Sequence, residues 1–211
     1  KNFEDDKNNI ILKYNQNGYR DARIIGDSVY RIDDKNLGIK IKLEEGNKYY
    51  FRNINWVGNT KYDTVLLNKV LGIHKGDVYN KELLQTNLTY NEGGYDVSSI
   101  YMDDGYLFFR VDPIEVRVEN DSIDMEIRMY EGDQATIGKV SVKGNTKTND
   151  HVVVREMYTK PGQLFSRSDV IRTTRELAAL GYFNAETLNP NIQPDPTDGT
   201  VDIEYVVEET S

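Results

Sequence analysis

Few side chains in this sequence are placed to do chemistry. His74 and His151 lie in different parts of the chain with no partner at ligand spacing, and each reads as a surface residue at a turn or helix position. Asp103-Asp104 has the composition of a metal or acid–base site, and a hydrolase built on it is the enzymatic alternative. The pair stands at a helix end before Gly105, where solvated turn carboxylates are the ordinary occupants. The run from Asp195 to Asp198 is too short and too interrupted by proline for a calcium loop. Gly58-Asn59-Thr60 and Gly144-Asn145-Thr146 lack the Gly-Lys-Ser/Thr that completes a phosphate loop, and asparagine is common where the backbone turns with positive φ. The sequence has no cysteine, so thiolate metal sites, cysteine nucleophiles and disulfides are excluded while the compartment stays open. The expectation is a chain with no enzymatic activity, no metal and no cofactor.

What remains is backbone chemistry. An unpaired strand edge presents N–H and C=O groups that can bind an extended peptide by strand addition, largely irrespective of its side chains. Three stretches are candidates: 22–30, with Ala22, Ile24 and Val29; 107–118, with Leu107, Phe109 and Val111; and 185–192, with Ala185, Thr187, Leu188 and Ile192. The competing reading is that these edges are merely tolerated, blunted by Arg110, Pro113, Arg117 and Pro190.

The elements that carry these edges recur. Gly58-Asn59-Thr60 and Gly144-Asn145-Thr146 are each followed 18 residues on by a glycine, Gly76 and Gly162. Between them Leu67 and Leu71 occupy the places of Val153 and Met157, an i,i+4 apolar pair on one helix face. Gly105-Tyr106 and Gly181-Tyr182 close the second helix of each copy, and Gly18-Tyr19 closes a partial copy at the start. The domains are therefore 1–46, a helix and hairpin that form only the second half of a repeat and should have an incomplete core; 47–132; and 133–211. The chain is expected to begin part-way through a repeat, a natural helix-hairpin module being the alternative. Net charge is −9, distributed 0, −5 and −4 over these segments; none is basic, which argues against nucleic acid or an anionic membrane surface as partner. No apolar run approaches membrane-spanning length and no signal peptide is present, so any export or anchoring segment would lie outside the sequence. The 15 tyrosines, many in strand-like stretches, fit half-buried sheet.

Each whole copy reads strand, helix, helix, strand, strand. In the first, 49–57 is a strand, Asp63 or Thr64 and then Asn80 cap the helices, and the hairpin spans 107–118 and 123–130. A ten-residue insertion near 90–99, containing Gly93-Gly94, should break its second helix in two. In the second copy 136–142 is a strand, and Asp150 and Ser166 or Ser168 cap the helices. There Val170, Thr174 and Leu177 share a face, and the hairpin spans 185–193 and 201–207. Pro190 confines its strand to an edge. A right-handed crossover through the helices pairs the first strand parallel to the third, so the order is 1-3-2 with both helices on one face. The fold class is α+β, with a three-stranded mixed sheet in each repeat.

This pattern resembles the POTRA domain: Gly-Asn-Thr after a short strand, an apolar helix, Pro161-Gly162, a second helix ending Gly181-Tyr182-Phe183, and a hairpin ending in glutamate-rich sequence. The run from Gly144-Asn145-Thr146 through Arg155-Glu156-Met157 to Leu180-Gly181-Tyr182-Phe183 looks like the last such repeat before the β-barrel of an outer-membrane protein assembly factor. Related transporter families and cell-division proteins carry the same domain. The resemblance covers nearly the whole chain. It implies a periplasmic array attached to a C-terminal outer-membrane β-barrel of the same polypeptide, with unfolded outer-membrane proteins as clients and accessory lipoproteins as partners. Arg155, Glu156 and Pro161 then fall where a lipoprotein would dock. Proteobacterial relatives tend to carry an acidic residue before the turn glycine; Pro161 stands there instead, so the resemblance gives no basis for an equivalent ion pair. The alternative function is a spacer or hinge, with Gly46 and Gly132 at the joints, that positions a barrel without binding clients.

Overall fold

The computed structural model describes residues 2–210. Its contacts group the chain into two units. One holds the residues up to Val57 with Tyr62–Leu88 and Asp112–Arg128; the other holds Gly58–Lys61, Thr89–Val111 and the residues from Met129 on.

The first unit opens with helix α1 (Phe3–Gln16), capped by Asn2, whose Oδ1 accepts the Glu4 N–H at 3.3 Å. Strands β1 (Arg23–Arg31) and β2 (Leu37–Glu44) follow as an antiparallel pair with a bulge between Ile24 and Gly26. Pairing Val29 with Ile39 and Arg31 with Leu37 puts three apolar side chains on one face. That face stays open: Val29, Leu37 and Ile39 are 54%, 66% and 54% exposed. Tyr30 lies across Gly38, where a Cβ would meet the ring at 2.5 Å. Among the described residues before Tyr49, Ala22 is the one buried apolar side chain. Its N–H donates to the Tyr19 carbonyl, so Ala22 belongs to the turn before β1 and not to the strand.

Strand β3 (Tyr50–Val57) then leads to α2 (Thr64–Leu71). Asp63 caps α2 by accepting the Leu66 N–H at 2.8 Å, and Gly72 ends it in a left-handed conformation. Asn80 caps α3 (Lys81–Thr89) through the Leu83 N–H. Strands β4 (Arg110–Glu119) and β5 (Ser122–Tyr130) make the hairpin, and the sheet order is β3-β5-β4 with β3 and β5 parallel. Phe51, Leu67, Leu71, Leu84, Ile123 and Ile127 are fully buried, each contributing about 1.5–3 kcal/mol of burial.

In the second unit, β6 (Thr136–Lys143), α5 (Asp150–Arg155), α6 (Arg167–Ala179), β7 (Asn189–Asp195) and β8 (Thr200–Val206) repeat the plan in the order β6-β8-β7. Val201, Ile203, Tyr205 and Val207 alternate into a core with Ile137, Val153, Phe165 and Leu177. The insertion divides the second helix of the preceding copy, as expected, leaving α4 (Val97–Met102) after a loop.

Four further local expectations are corrected. Leu107 and Phe109 precede β4: both sit in hydrogen-bonded turns, and the Phe109 ring stacks on Tyr101 with centroids 4.2 Å apart. Ala185, Thr187 and Leu188 precede β7, because Asn184 folds 185–187 into a turn by accepting the Glu186 and Thr187 N–H groups. Asn149, not Asp150, is the N-cap of α5; the Asp150 carboxylate instead accepts the Asn145 amide at 2.6 Å. Thr173 faces the core of α6 in place of Thr174, since its hydroxyl takes the Tyr158 N–H at 3.0 Å.

Candidate functional site

The strand edges are unequal. On β7 the inward residues Pro190, Ile192 and Pro194 face Tyr205, Ile203 and Val201 on β8. An antiparallel ladder alternates residues whose backbone groups point to the partner with residues whose groups point away. Proline lacks an N–H and is tolerated in the outward set, to which Pro190 and Pro194 belong by their four-residue spacing. The outer edge between them offers one donor, the Ile192 N–H. Strand β4 is longer and carries one proline, Pro113, with Val111 half-buried at its start. Beside it runs a cleft of about 600 Å³ touching Pro113, Ile114 and Glu115. Successive strand residues point to opposite faces, so a cleft that meets three in a row lies along the edge.

The far wall of this cleft includes Asn15, Arg20, Tyr79 and Lys81. Glu115 accepts the Tyr79 hydroxyl, and burial together with that carboxylate pushes the Tyr79 phenol up. The Arg20 guanidinium approaches Glu115 to 2.8 Å, close enough for an ion pair but off the line of a hydrogen bond. The Asn15 Oδ1 is buried with no hydrogen-bond partner among the described residues. On the first hairpin, Ile24 is half-buried and Val29 exposed, with Asp27 between them held by Lys7 at 3.0 Å.

The first strand of each three-stranded sheet is partly closed at its outer edge. The Gly76 N–H donates to the Phe51 carbonyl at 2.7 Å, and the Gly162 N–H to the Ile137 carbonyl at 2.8 Å. These two glycines recur at a fixed distance because the turn they make, at φ of 92° and 85°, covers that edge. Further along, a bulge follows Phe51 in β3 and Ile137 in β6. A carboxylate on the central strand takes the amide there: Asp124 accepts the Asn53 N–H at 3.1 Å, and Asp202 the Lys139 N–H at 2.8 Å. Asp124 also binds Arg52 at 2.7 Å, which holds its carboxyl at about 2.

The Gly-Asn-Thr loops do bind an anion, supplied by the protein itself. Glu131 accepts the Thr60 and Lys61 N–H groups and the Thr60 hydroxyl, and Tyr101 donates to it at 2.8 Å. Glu209 accepts the Thr146 hydroxyl and the Lys147 and Thr148 N–H groups at 2.8, 2.9 and 2.6 Å. Burial works against the charge of Glu209, but the Thr146 hydroxyl and these amides bring its carboxyl down to about 2. The glycines are required by space as well as by φ: a Cβ on Gly58 would stand 2.2 Å from the Met129 carbonyl oxygen, and one on Gly144 2.0 Å from that of Val207.

The remaining candidates are dispersed. Arg155 is exposed and paired with its neighbour Glu156 at 2.9 Å at the end of α5, and Pro161 is exposed in the following turn. Asp104 pairs with Lys61 at 3.0 Å, while Asp103 accepts the Ser168 N–H at 2.8 Å and the Ser168 hydroxyl at 2.6 Å. Asp103 secures the start of α6, and Asp104 is held in an ion pair. Gly105 and Gly181 follow helices with φ of 87° and 73°, and the Gly105 carbonyl accepts the Ala135 N–H at 2.8 Å. Sequence reasoning missed the roles of Asp124 and Asp202. Each was visible as an acid set between two apolar residues of the central strand, Ile123-Asp124-Met125 and Val201-Asp202-Ile203.

Comparison with known proteins agrees with this geometry. The POTRA profile, described as a surface antigen variable number repeat, matches residues 49–132 and 135–210. A candidate outer membrane protein assembly factor of Treponema pallidum (strain Nichols) is 28% identical over 217 residues, covering 99% of this chain and 25% of that protein. The outer membrane protein assembly factor BamA of Neisseria meningitidis serogroup B is 26% identical over 209 residues, covering 95% of this chain and 24% of that protein. The chain thus spans about a quarter of the length of these relatives. The crystal structure of Haemophilus influenzae BamA POTRA domains 3–5 superposes with a TM-score of 0.75 at 23% identity, covering 98% of this chain and 80% of that one. BamA of Haemophilus ducreyi lacking POTRA domains 1–3 gives a TM-score of 0.63 at 25% identity, covering 77% of this chain and 30% of that one. With two matched copies and the parallel crossover present in both sheets, the chain belongs to the POTRA family.

Proposed function

We propose that the chain is the periplasmic repeat region of an outer-membrane protein assembly factor, made of a part repeat, 1–46, and whole repeats at 47–132 and 133–211. In this reading it holds extended segments of unfolded outer-membrane proteins by strand addition at the edge of β4. The observation that carries it is the cleft along Pro113, Ile114 and Glu115, which leaves room for another strand beside an edge with one proline. The names of the relatives support the assembly role. A C-terminal barrel of the same polypeptide would anchor the array, and accessory lipoproteins would dock at the exposed end of α5 around Arg155, Glu156 and Pro161. The acid pair Asp103 and Asp104 is engaged in capping and pairing, which favours a scaffold over a hydrolase.

The test is amide chemical-shift mapping on the whole chain with a peptide copied from an outer-membrane barrel strand. Shifts should concentrate on the amides of Val111 to Arg117, and the same peptide N-methylated at alternate residues should lose them. Equal shifts with the methylated peptide would remove strand addition. No shifts at millimolar peptide would favour the spacer reading, which the well-defended edge of β7 supports.

A further inference from the structure

We infer that the ten-residue insertion of the middle repeat is a socket for Arg167, the first residue of α6 in the last repeat, and that this plug fixes the joint between the two repeats. The inference is independent of whether any edge binds peptide.

A cation in the first turn of a helix opposes the helix dipole, so Arg167 does not serve α6 itself. Its guanidinium is spent elsewhere. Nη2 donates to both oxygens of Asp96 at 3.0 Å and to the Ser99 hydroxyl, while Nη1 donates to the Thr89 carbonyl at 3.0 Å. The guanidinium also sits over the Tyr90 ring, 5.6 Å from its centroid. All of these partners lie in the insertion or on the helices that flank it. Asp96 is fully buried, and 19% of the Arg167 side chain is exposed.

The same carboxylate builds the socket. Asp96 is the N-cap of α4, accepting the Ser99 N–H at 2.8 Å, and it also accepts the Asn91 N–H at 3.0 Å, closing the loop between α3 and α4. The other end of α4 is tied to α6 as well, through Asp103 and the Ser168 N–H. The grouping of contacts agrees: Thr89–Val111, with the insertion and α4, groups with Gly58–Lys61 and the residues from Met129 on, apart from the larger part of its own repeat. A buried, forked ion pair adds little net stability but is exacting in direction, so its natural use is to specify one arrangement of the parts it joins.

The chain has no cysteine, so spin labels can be attached at Arg110→Cys and Glu186→Cys, exposed positions on either side of the joint. Electron–electron double resonance on the whole chain should give one narrow distance. Arg167→Ala should broaden or split it, and Arg167→Lys, which keeps the charge but loses the fork, should broaden it to a lesser degree. Amide spectra of β6 and β8 in each variant establish that the last repeat is folded. A broad distribution in the unmutated chain, or an unchanged narrow one in folded Arg167→Ala, would overturn the inference.

Discussion

Gly144→Ala and Gly162→Ala make a matched pair that isolates the close approach of the Gly-Asn-Thr loop to the last strand. Both glycines have positive φ, 104° and 85°, and both lie in the last repeat. A Cβ at Gly162 meets nothing within 4 Å, so Gly162→Ala carries backbone strain alone, about 1–2 kcal/mol. The Gly162 N–H that closes the β6 edge is kept in alanine. A Cβ at Gly144 would stand 2.0 Å from the Val207 carbonyl oxygen, a full ångström inside any tolerated contact, and that oxygen is backbone. The strand must move, although the Val207 N–H is bound to the Lys143 carbonyl at 2.9 Å. Displacement there also carries Glu209, two residues on, away from the Thr146, Lys147 and Thr148 donors. Overpacking adds about 1–3 kcal/mol to the strain, so Gly144→Ala should cost roughly 2–5 kcal/mol. A chain of several repeats need not unfold in one step, so the assay must be local. Native-state hydrogen exchange of the Ile203 and Tyr205 amides on β8 reads the free energy of this repeat directly. If the two variants agree to within about 0.5 kcal/mol, the carbonyl contact is not what requires glycine at 144, and the reasoning fails.

Asp96→Ala and Arg167→Met should each lower the stability of the joint by about 3 kcal/mol, because each strands a buried partner charge, and Asp96→Ala should cost more because it also removes the α4 cap; exchange of the α4 amides measures both. Acid should loosen the Gly-Asn-Thr loops. The Glu209 carboxyl lies at about 2 in the fold against an ordinary value of 4.5. Its contribution is therefore complete above that ordinary value and is lost as pH falls toward 2, a loss that Glu209→Gln should flatten in an acid titration followed by circular dichroism. Asp124→Asn should release the bulge in β3 and lower the midpoint of urea unfolding read from Trp56 fluorescence, since the amide keeps the shape but loses the charge that holds Arg52. Removing both prolines of β7 with Pro190→Thr and Pro194→Thr restores two edge donors, and sedimentation should then detect more self-association than in the unmodified chain.

The topology was legible because connection rules leave little choice: a hairpin after two helices brings the first strand parallel to the third, and both sheets obey. The caps at Asp63, Asn80 and Ser166 were legible because short polar side chains before an apolar period have one common use. The starts of β4 and β7 were not. Leu107-Phe108-Phe109 has the composition of a strand, and its turn conformation depends on the stack with Tyr101. Helical period does not separate the neighbours Thr173 and Thr174, and the buried one is selected by a distant amide, that of Tyr158. Arg167 was unreadable for a related reason. Its partner Asp96 lies 71 positions away, and the pairing exists only because the two repeats meet there.

Comparing the two whole copies separates what makes the fold from what gives each repeat its own task. The polar features that occur in both are spent internally: Glu131 and Glu209 fill their loops, Asp124 and Asp202 close their bulges, and Gly76 and Gly162 cover the first-strand edge. Residues consumed in this way have no groups left over for a client. The differences are few. The middle copy has the insertion that receives Arg167 and an edge strand with one proline beside a cleft, while the last copy has no insertion and two prolines on its shorter edge strand. The two repeats should therefore not be interchangeable. Replacing the Asn189–Asp195 strand of the last repeat with the β4 sequence should create a second receptive edge, while the reverse exchange should abolish peptide binding with both sheets intact. A reverse exchange that still binds peptide would move the receptive surface away from the strand edges altogether.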